Sequence, residues 1–210
     1  KSCSGMLHKF KADANVFIGE LDELIKVPVI IRINEFSEDA AKKFATEFST
    51  AQTTSQSIIP IIIDSSGGCV YSLFSMVDAI EKCPLPVATI VEGKAMSAAA
   101  ALLASGTTGH RYISKRSTVM IHDVSSEGWP GRPEELKADA YEAERLNNVM
   151  YEILDTRSKK DSGYYWDLLK ENGRADLYLS AEDALGHGLV DHIGVPSLIT
   201  TVTVKHKLVF

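Results

Sequence analysis

Apolar runs alternate with amphipathic segments along most of this chain. Residues 58–63 (IIPIII) are apolar at every position, which is typical of a strand covered on both faces in an α/β sheet. Residues 27–33 and 87–91 are similar runs, and 119–121 is a short one that ends at His122. We predict that each of these runs forms a strand.

The segments between these runs carry apolar residues at helical spacing. The predicted helices are the segment that Ser37 caps, the segment with Val70 to Ile80 inward, residues 98–104, residues 134–154, and a short helix opened by Ser180 and ended by Gly188. Strands and helices that alternate through short turns predict an α/β fold, a largely parallel sheet flanked by helices. The breaker cluster GWPGRP, residues 128–133, is predicted as a loop leaving the sheet.

Composition changes this picture little but excludes several functions. The chain has 210 residues, 45% apolar and 24% charged, which suits one domain with its own core. The net charge of -6 argues against a nucleic-acid partner, because phosphates require a basic face. No stretch reaches the roughly 18 apolar residues of a membrane span. Residues 1–17 lack the apolar block of a signal peptide, so we expect neither a membrane partner nor export.

The cysteines suggest no covalent or metal framework. Cys3, Cys69 and Cys83 form neither an even disulfide set nor a metal-binding spacing. We interpret them as reduced thiols, which favours a cytoplasmic location, and we expect no metal and no cofactor. Neither GxGxxG nor GxxxxGK[ST] occurs, which argues against a phosphate-binding loop.

Two strand-to-helix turns carry candidate chemistry: SSGG at 65–68 and GKAMS at 93–97. In an α/β sheet such turns gather at the carboxyl ends of the strands, where sites usually form. Ser97 would begin a helix, and the amides of Gly68 and Ala98 are candidate donors to an oxyanion there. A serine before an Ala-rich helix is more often a simple N-cap, and that alternative stays open.

His122 is the candidate general base, because it ends an apolar strand at the same edge of the sheet. A lone histidine at such a position is more often a hydrogen-bonded structural residue. Lys94 is a conceivable lysine base, although we expect it to project to solvent. Spacing does not choose a third member. The available carboxylates are Asp123, Asp155, Asp161, Asp167 and Asp176.

Two stretches of the chain resemble the proteolytic subunit of the Clp protease. The first runs from about 58 to 122 and contains IIIDSSGG, VEGKAMSAAA and STVMIH. The second, DLYLSAEDALGHGLVD at 176–191, resembles the last helix of that family. The SxGG block, the nucleophile turn and the MIH strand end occur in the family's order and spacing, so the resemblance is specific.

The resemblance implies a ClpP/crotonase-like fold and assigns a role to each matching residue. Ser97 matches the nucleophile, His122 the general base and Asp176 the acid that orients the imidazole. Gly68 and Ala98 match the two amide donors of the oxyanion hole. The resemblance further implies one peptidase domain over 1–210 with a protruding, handle-like segment around 123–160.

The resemblance also implies an assembly and its partners. The subunit would cleave unfolded protein or peptide substrates inside a homo-oligomeric ring, a heptamer that stacks to a tetradecamer. An AAA+ unfoldase of the ClpX or ClpA type would feed the ring, and ATP would be used only by that partner. Ala175, where the family has arginine, and GWPGRP depart from the family pattern where rings join. We therefore expect the ring itself and only lean toward its stacking into a double ring. Such divergence is compatible with a phage-encoded member in the host cytoplasm.

Three other interpretations remain open. Crotonase-like acyl-CoA enzymes share the fold and the paired amides but need no Ser-His-Asp set. Signal peptide peptidases share it with a serine–lysine pair. An inactive ClpP-like ring subunit is the structural alternative, and the presence of Ser97, His122 and Asp176 argues against it.

Overall fold

Strands and helices alternate strictly from residue 31 to residue 104, as the sequence pattern predicts, and less regularly after that. The structure, a computed structural model, describes residues 26–124 and 132–201. The strands are β1 (Ile31–Ile33), β2 (Ile59–Ser65), β3 (Val87–Met96), β4 (Arg111–Ile113), β5 (Thr118–Ile121), β6 (Leu177–Leu179) and β7 (His192–Ile193). The helices are α1 (Glu38–Ala51), α2 (Val70–Lys82), α3 (Ala98–Ala104), α4 (Pro133–Arg157), α5 (Tyr164–Glu171) and α6 (Ala181–Gly186).

The sheet is parallel apart from one strand. Its order is β1-β2-β3-β4-β7, with β5 beside the second half of β3 and β6 beyond β5. Every pair is parallel except β5 with β6, which is antiparallel. The predicted α/β class with a largely parallel sheet is confirmed.

β3 pairs with two different strands along its length. Thr89 to Val91 lie beside β4, and Lys94 to Met96 lie beside β5. The hydroxyl of Ser117 accepts the N–H of Gly93 at 2.8 Å, at the point where the two partners diverge. The strand predicted over 87–91 is confirmed, but the turn predicted directly after it is wrong, since pairing with β5 extends the strand to Met96.

The first strand is shorter than predicted. It begins at Ile31 rather than at residue 27, and Val27 is exposed. Both backbone groups of Val29 bond to the side-chain amide of Gln56, at 2.8 and 3.1 Å, instead of to a neighbouring strand. At this end of the sheet, hydrogen bonds to a side chain therefore take the place of backbone pairing with another strand.

The core lies between the sheet and helices α1 to α4. Ile61 and Ile63 of β2 are completely buried, and Phe44 of α1 and Leu73 of α2 belong to the same buried cluster. All seven residues of α3, AAAALLA, are buried, none more than 1% exposed. Its small side chains let α2 and α4 both pack against it, as the predicted small-residue helix requires.

Helix α4 leaves the body of the molecule at its N-terminal end. Residues 132–141 are exposed throughout, and burial begins at Leu146. Of the predicted GWPGRP loop, residues 128–131 lie outside the described residues, whereas Arg132 and Pro133 cap and begin α4. Neither α4 nor any other helix within 26–124 and 132–201 combines the length and apolar character needed to cross a membrane.

A buried ion pair fastens the segment after α6 to the sheet. The guanidinium of Arg111 donates to both carboxylate oxygens of Asp191, at 2.9 and 2.7 Å. Burial alone would raise the pKa of Asp191, but the hydrogen bonds and charge of Arg111 outweigh it and hold that pKa below its usual value. β7, which follows Asp191, is thereby held beside β4.

Candidate active site

The candidate residues meet at the carboxyl ends of β3 and β5. Ser97 directly follows β3, and its N–H donates to the carbonyl of Met120 at 2.8 Å, which prolongs the β3–β5 ladder by one bond. His122 directly follows β5. Two parallel strands thus end side by side. The hydroxyl of Ser97 follows one of them and the imidazole of His122 follows the other.

The antiparallel strand β6 delivers the carboxylate. Ile121 of β5 lies opposite Leu177 of β6. Extended by one residue, the same register sets His122 opposite Asp176. Asp176 is remote from His122 in sequence, and this strand pair accounts for their proximity.

The side chains form a chain of contacts from hydroxyl to carboxylate. Ser97 Oγ lies 2.8 Å from His122 Nε2. His122 Nδ1 lies 3.5 Å from Asp176 Oδ1, close enough for an ion pair but longer than the roughly 2.7–2.9 Å of a charge-assisted hydrogen bond. The Asp176 side chain is 50% exposed, so solvent reaches its carboxylate. Such bonds are often long in enzymes without substrate.

Ser97 is not an ordinary helix cap. The hydroxyls of Ser37 and Ser180, at the starts of α1 and α6, accept backbone N–H groups of their helices. The side chain of Ser97 makes no such bond with α3. Its backbone has φ 57° and ψ -120°, a conformation that costs a non-glycine residue free energy. This strained turn aims the hydroxyl at His122 instead of at the helix.

The SSGG turn packs directly against the nucleophile turn. Gly67 has φ +102°, and a Cβ there would lie 2.9 Å from both the Ser97 Cβ and the Met96 carbonyl oxygen. Gly68 has φ +143°, and its Cβ would lie 2.4 Å from the Phe36 carbonyl oxygen. Neighbouring atoms therefore leave no room for a side chain at either position, which explains why both residues are glycine.

The amides of Gly68 and Ala98 remain available to a ligand. Ala98 is the first residue of α3, where an N–H has no acceptor within the helix. Among residues 26–124 and 132–201, neither N–H donates to another protein group. The two turns that carry them are in contact, since a Cβ on Gly67 would lie 3.4 Å from the Ala98 nitrogen.

Asp123, although adjacent to His122 in sequence, is engaged elsewhere. Its Oδ1 accepts the hydroxyl of Tyr151 at 2.5 Å, and its Oδ2 accepts from the guanidinium of Arg174. Burial and the bond to this carboxylate both raise the pKa of Tyr151.

The remaining carboxylate candidates also lie away from the imidazole. Asp155 is buried and accepts the N–H groups of Gly163 and Tyr165, at 2.7 and 3.0 Å, so it fixes the start of α5. Asp161 and Asp167 are exposed. Of the five carboxylates that the sequence left open, Asp176 lies beside His122.

Lys94 lies away from the candidate nucleophile. Its ammonium is 3.4 Å from Asp64 Oδ1, in an exposed pair, so it gives no support to a serine–lysine mechanism. In the part of the chain that the structure describes, no three His, Cys, Asp or Glu side chains are close enough to share a metal ion.

Sequence reasoning missed the residues that surround the site. The contact of Gly67 with Ser97, the Arg174–Asp123 pair and the bond from Val124 N–H to Asn147 Oδ1 at 2.6 Å were not anticipated. An aspartate directly after a candidate histidine is a visible signal, but its partners lie far along the chain, on α4 and in the turn after α5.

Comparison with known proteins points to one family. The model of the Clp protease family matches residues 13–197. The ATP-dependent Clp protease proteolytic subunit 3 of Nocardia farcinica is 36% identical over 136 residues, covering 64% of this chain and 60% of that protein. Subunit 1 of Corynebacterium glutamicum is 33% identical over 135 residues, covering 64% and 63%. The chain thus spans about three fifths of the length of the curated relatives it matches.

The strain at Ser97 predicts an unusual order of stabilities. A residue other than glycine in such a conformation costs about 1–3 kcal/mol. Glycine loses about 0.5–1 kcal/mol more conformational entropy on folding than alanine. We expect the free energy of unfolding of Ser97→Gly to exceed that of Ser97→Ala by about 1 kcal/mol, measured in urea at one protein concentration.

Ser105 provides the control, because its backbone (φ -78°, ψ -6°) is ordinary. There the order should reverse, with Ser105→Gly less stable than Ser105→Ala. Equal or lower stability of Ser97→Gly relative to Ser97→Ala would contradict the strain.

Proposed function

Since this chain belongs to the Clp protease family, we propose that it is a serine endopeptidase that cleaves unfolded polypeptides. The observation that carries the proposal is the 2.8 Å contact between Ser97 Oγ and His122 Nε2, at a strained serine that caps no helix. A hydroxyl in hydrogen-bond reach of an imidazole is the arrangement that activates a serine nucleophile.

The proposed reaction has two halves. His122 Nε2 takes the Ser97 proton as Oγ attacks the peptide carbonyl carbon, and the resulting oxyanion accepts from the amides of Gly68 and Ala98. The imidazolium then gives its proton to the leaving amine, which departs and leaves an acyl ester on Ser97. Water attacks the ester with His122 again as base, which releases the acid and restores the hydroxyl. Each amide donor is worth about 3 kcal/mol in such reactions.

Asp176 is proposed to orient the imidazole. A carboxylate near Nδ1 favours the tautomer with the proton on that nitrogen, which leaves Nε2 free to accept from Ser97. The same negative charge stabilises the imidazolium that forms when Ser97 attacks. The distance of 3.5 Å would shorten as the imidazole becomes charged.

The alternative functions receive less support. A crotonase-like acyl-CoA enzyme would use the two amides but would have no use for a serine bonded to a histidine. An inactive ring subunit would have no need to retain a strained backbone at Ser97. Both alternatives predict that Ser97 is unreactive, so one labelling experiment separates them from the peptidase.

We also propose that the chain forms a homo-oligomeric ring, a heptamer, as a single domain whose exposed part of α4 extends to neighbouring subunits. An apolar cleft on one face of the sheet supports contact with other polypeptides, because an apolar patch of this kind is rarely left open to water. It is lined in part by Ile30, Ile62, Ile90, Tyr112 and Leu198. A ring would confine the sites within a chamber.

A partner would use the ATP that the names of the relatives mention. Those relatives are described as ATP-dependent, yet this sequence has neither of the common phosphate-binding loop motifs. We therefore propose that an AAA+ unfoldase hydrolyses ATP and passes unfolded chains to this subunit.

A fluorophosphonate probe tests the nucleophile. We expect the wild type to gain one probe adduct, on Ser97, and to cleave small fluorogenic peptides. Ser97→Ala should lose both properties while its circular dichroism and oligomeric state stay unchanged. Ser105→Ala serves as a matched serine control. Undiminished cleavage by a folded Ser97→Ala protein would remove Ser97 from the mechanism.

The two neighbouring carboxylates should differ strongly in their effect on activity. A triad aspartate changed to asparagine costs about 10⁴-fold in kcat elsewhere, because the wrong imidazole tautomer is favoured. We expect Asp176→Asn to lower kcat/KM at least about 100-fold more than Asp123→Asn, measured with one fluorogenic peptide. Equal losses, or a greater loss at Asp123, would mean that the acid is misassigned.

Light scattering coupled to size exclusion tests the ring. At micromolar concentration we expect a mass that is a heptamer of the 22.9 kDa chain or a multiple of that ring. A mass near one subunit, with peptidase activity intact, would leave a free-standing peptidase and contradict the chamber.

A further inference from the structure

An ion pair joins the two segments that carry His122 and Asp176. Asp123 directly follows His122, and Arg174 lies two residues before Asp176. The Arg174 guanidinium bonds to Asp123 Oδ2, across 51 residues of sequence. The pair therefore ties the end of β5 to the start of β6 outside the strand ladder, which has its last bonded register at Ile121 and Leu177.

Helix α4 anchors the Asp123 side of this pair. Tyr151 donates its hydroxyl to Asp123 Oδ1 at 2.5 Å, and Asn147 Oδ1 accepts the N–H of Val124 at 2.6 Å. Tyr151 and Asn147 are themselves buried. The backbone just beyond His122 is thus held by a helix that belongs to the core at this point.

The Arg174 side is held just as firmly. Its guanidinium lies 4.4 Å from the centre of the Trp166 ring, which in turn meets the ring of Tyr151 edge-on at 5.6 Å. The N–H of Arg174 donates to the carbonyl of Leu169 at 2.9 Å and closes the end of α5. Arg174 has φ 57°, an uncommon conformation for a side chain of its size, so the surroundings must stabilise it.

The segment between Arg174 and β6 has little freedom left. The side-chain amide of Asn172 donates to the carbonyls of Ala175 and Asp176, at 3.2 and 3.4 Å. Asp176 itself is half exposed, and no bond to its carboxylate other than the 3.5 Å contact with His122 is formed within the described ranges. The direction of its carboxylate therefore depends on how its backbone is held.

We propose that the Arg174–Asp123 pair positions Asp176 against His122 for the peptidase reaction, so that Arg174 and Asp123 are positioning residues rather than catalytic ones. This inference rests on the proposed function only where it predicts an effect on the rate of the reaction. Arg174 and Tyr151 together occupy both oxygens of Asp123, which keeps a second carboxylate from competing for the imidazole. An exposed pair of this kind adds little to global stability, so its effect should appear at the site.

Arg174→Gln tests the inference by two independent measurements. In crystals of both proteins, the distance from His122 Nδ1 to Asp176 Oδ1, which is 3.5 Å in this structure, should be longer in the variant than in the wild type. In solution, the rate of fluorophosphonate labelling and kcat should both fall about tenfold, because small misplacements of catalytic groups are costly. KM should change by less than about twofold, because binding of the peptide is untouched.

Further variants separate positioning from a merely structural effect. Arg174→Lys, which keeps the charge, should recover most of the lost rate. In an Asp176→Asn background, Arg174→Gln should cause no further loss, since its effect passes through Asp176. The control is Arg157→Gln, which removes a similar surface pair with Glu81 and should leave the rate unchanged.

The outcomes distinguish this inference from the proposed function. An unchanged His122–Asp176 distance in the Arg174→Gln crystals would overturn the positioning role, whatever the activity. If Arg174→Gln lowered the rate by the same factor in the wild type and in the Asp176→Asn background, the positioning role would also be overturned. A wild-type protein that neither labels nor cleaves would defeat the peptidase function, while the crystal distance would still decide whether the pair holds Asp176 in place.

Discussion

The hydrogen bonds along the two edges of β5 are the constraint on which the rest of the site depends. One edge is parallel to β3 and the other is antiparallel to β6. A serine that follows β3, a histidine that follows β5 and an aspartate that precedes β6 are therefore carried to one place by backbone bonds alone. A shift of one residue in either ladder would turn the side chains to the opposite face of the sheet.

Small residues make this convergence sterically feasible. The glycine pair at 67–68 lets one turn lie against Ser97 on one side and Phe36 on the other. The alanines of α3 let the core close around the helix that starts directly after Ser97. The strain at Ser97 is tolerated because the residue lies between a paired strand and a fully buried helix, and such conformations persist where the surroundings fix them.

Local pattern was sufficient to predict the fold class and the grouping of Ser97 with His122. Both predictions rest on apolar runs and on the residues at the carboxyl end of each run. The full length of β3 was missed, because its second half is a strand only where β5 lies beside it. The spacing of residues could not identify the third side chain either, and only the family resemblance pointed to Asp176. The role of Asp123 depends on Tyr151 and Arg174, which belong to α4 and the turn after α5.

The order of the strands along the chain has a consequence for synthesis. Ser97 and His122 are 25 residues apart, whereas the Arg174–Asp123 bond closes a loop of 51 residues that contains α4 and α5. Contacts that close long loops form late, and a chain emerging from the ribosome folds from its N-terminus. A nascent chain can thus bring hydroxyl and imidazole together while the carboxylate is still untranslated. Translation that stops within α4 or α5 would release a fragment that lacks Asp176, so the three side chains could meet only after β6 has been made.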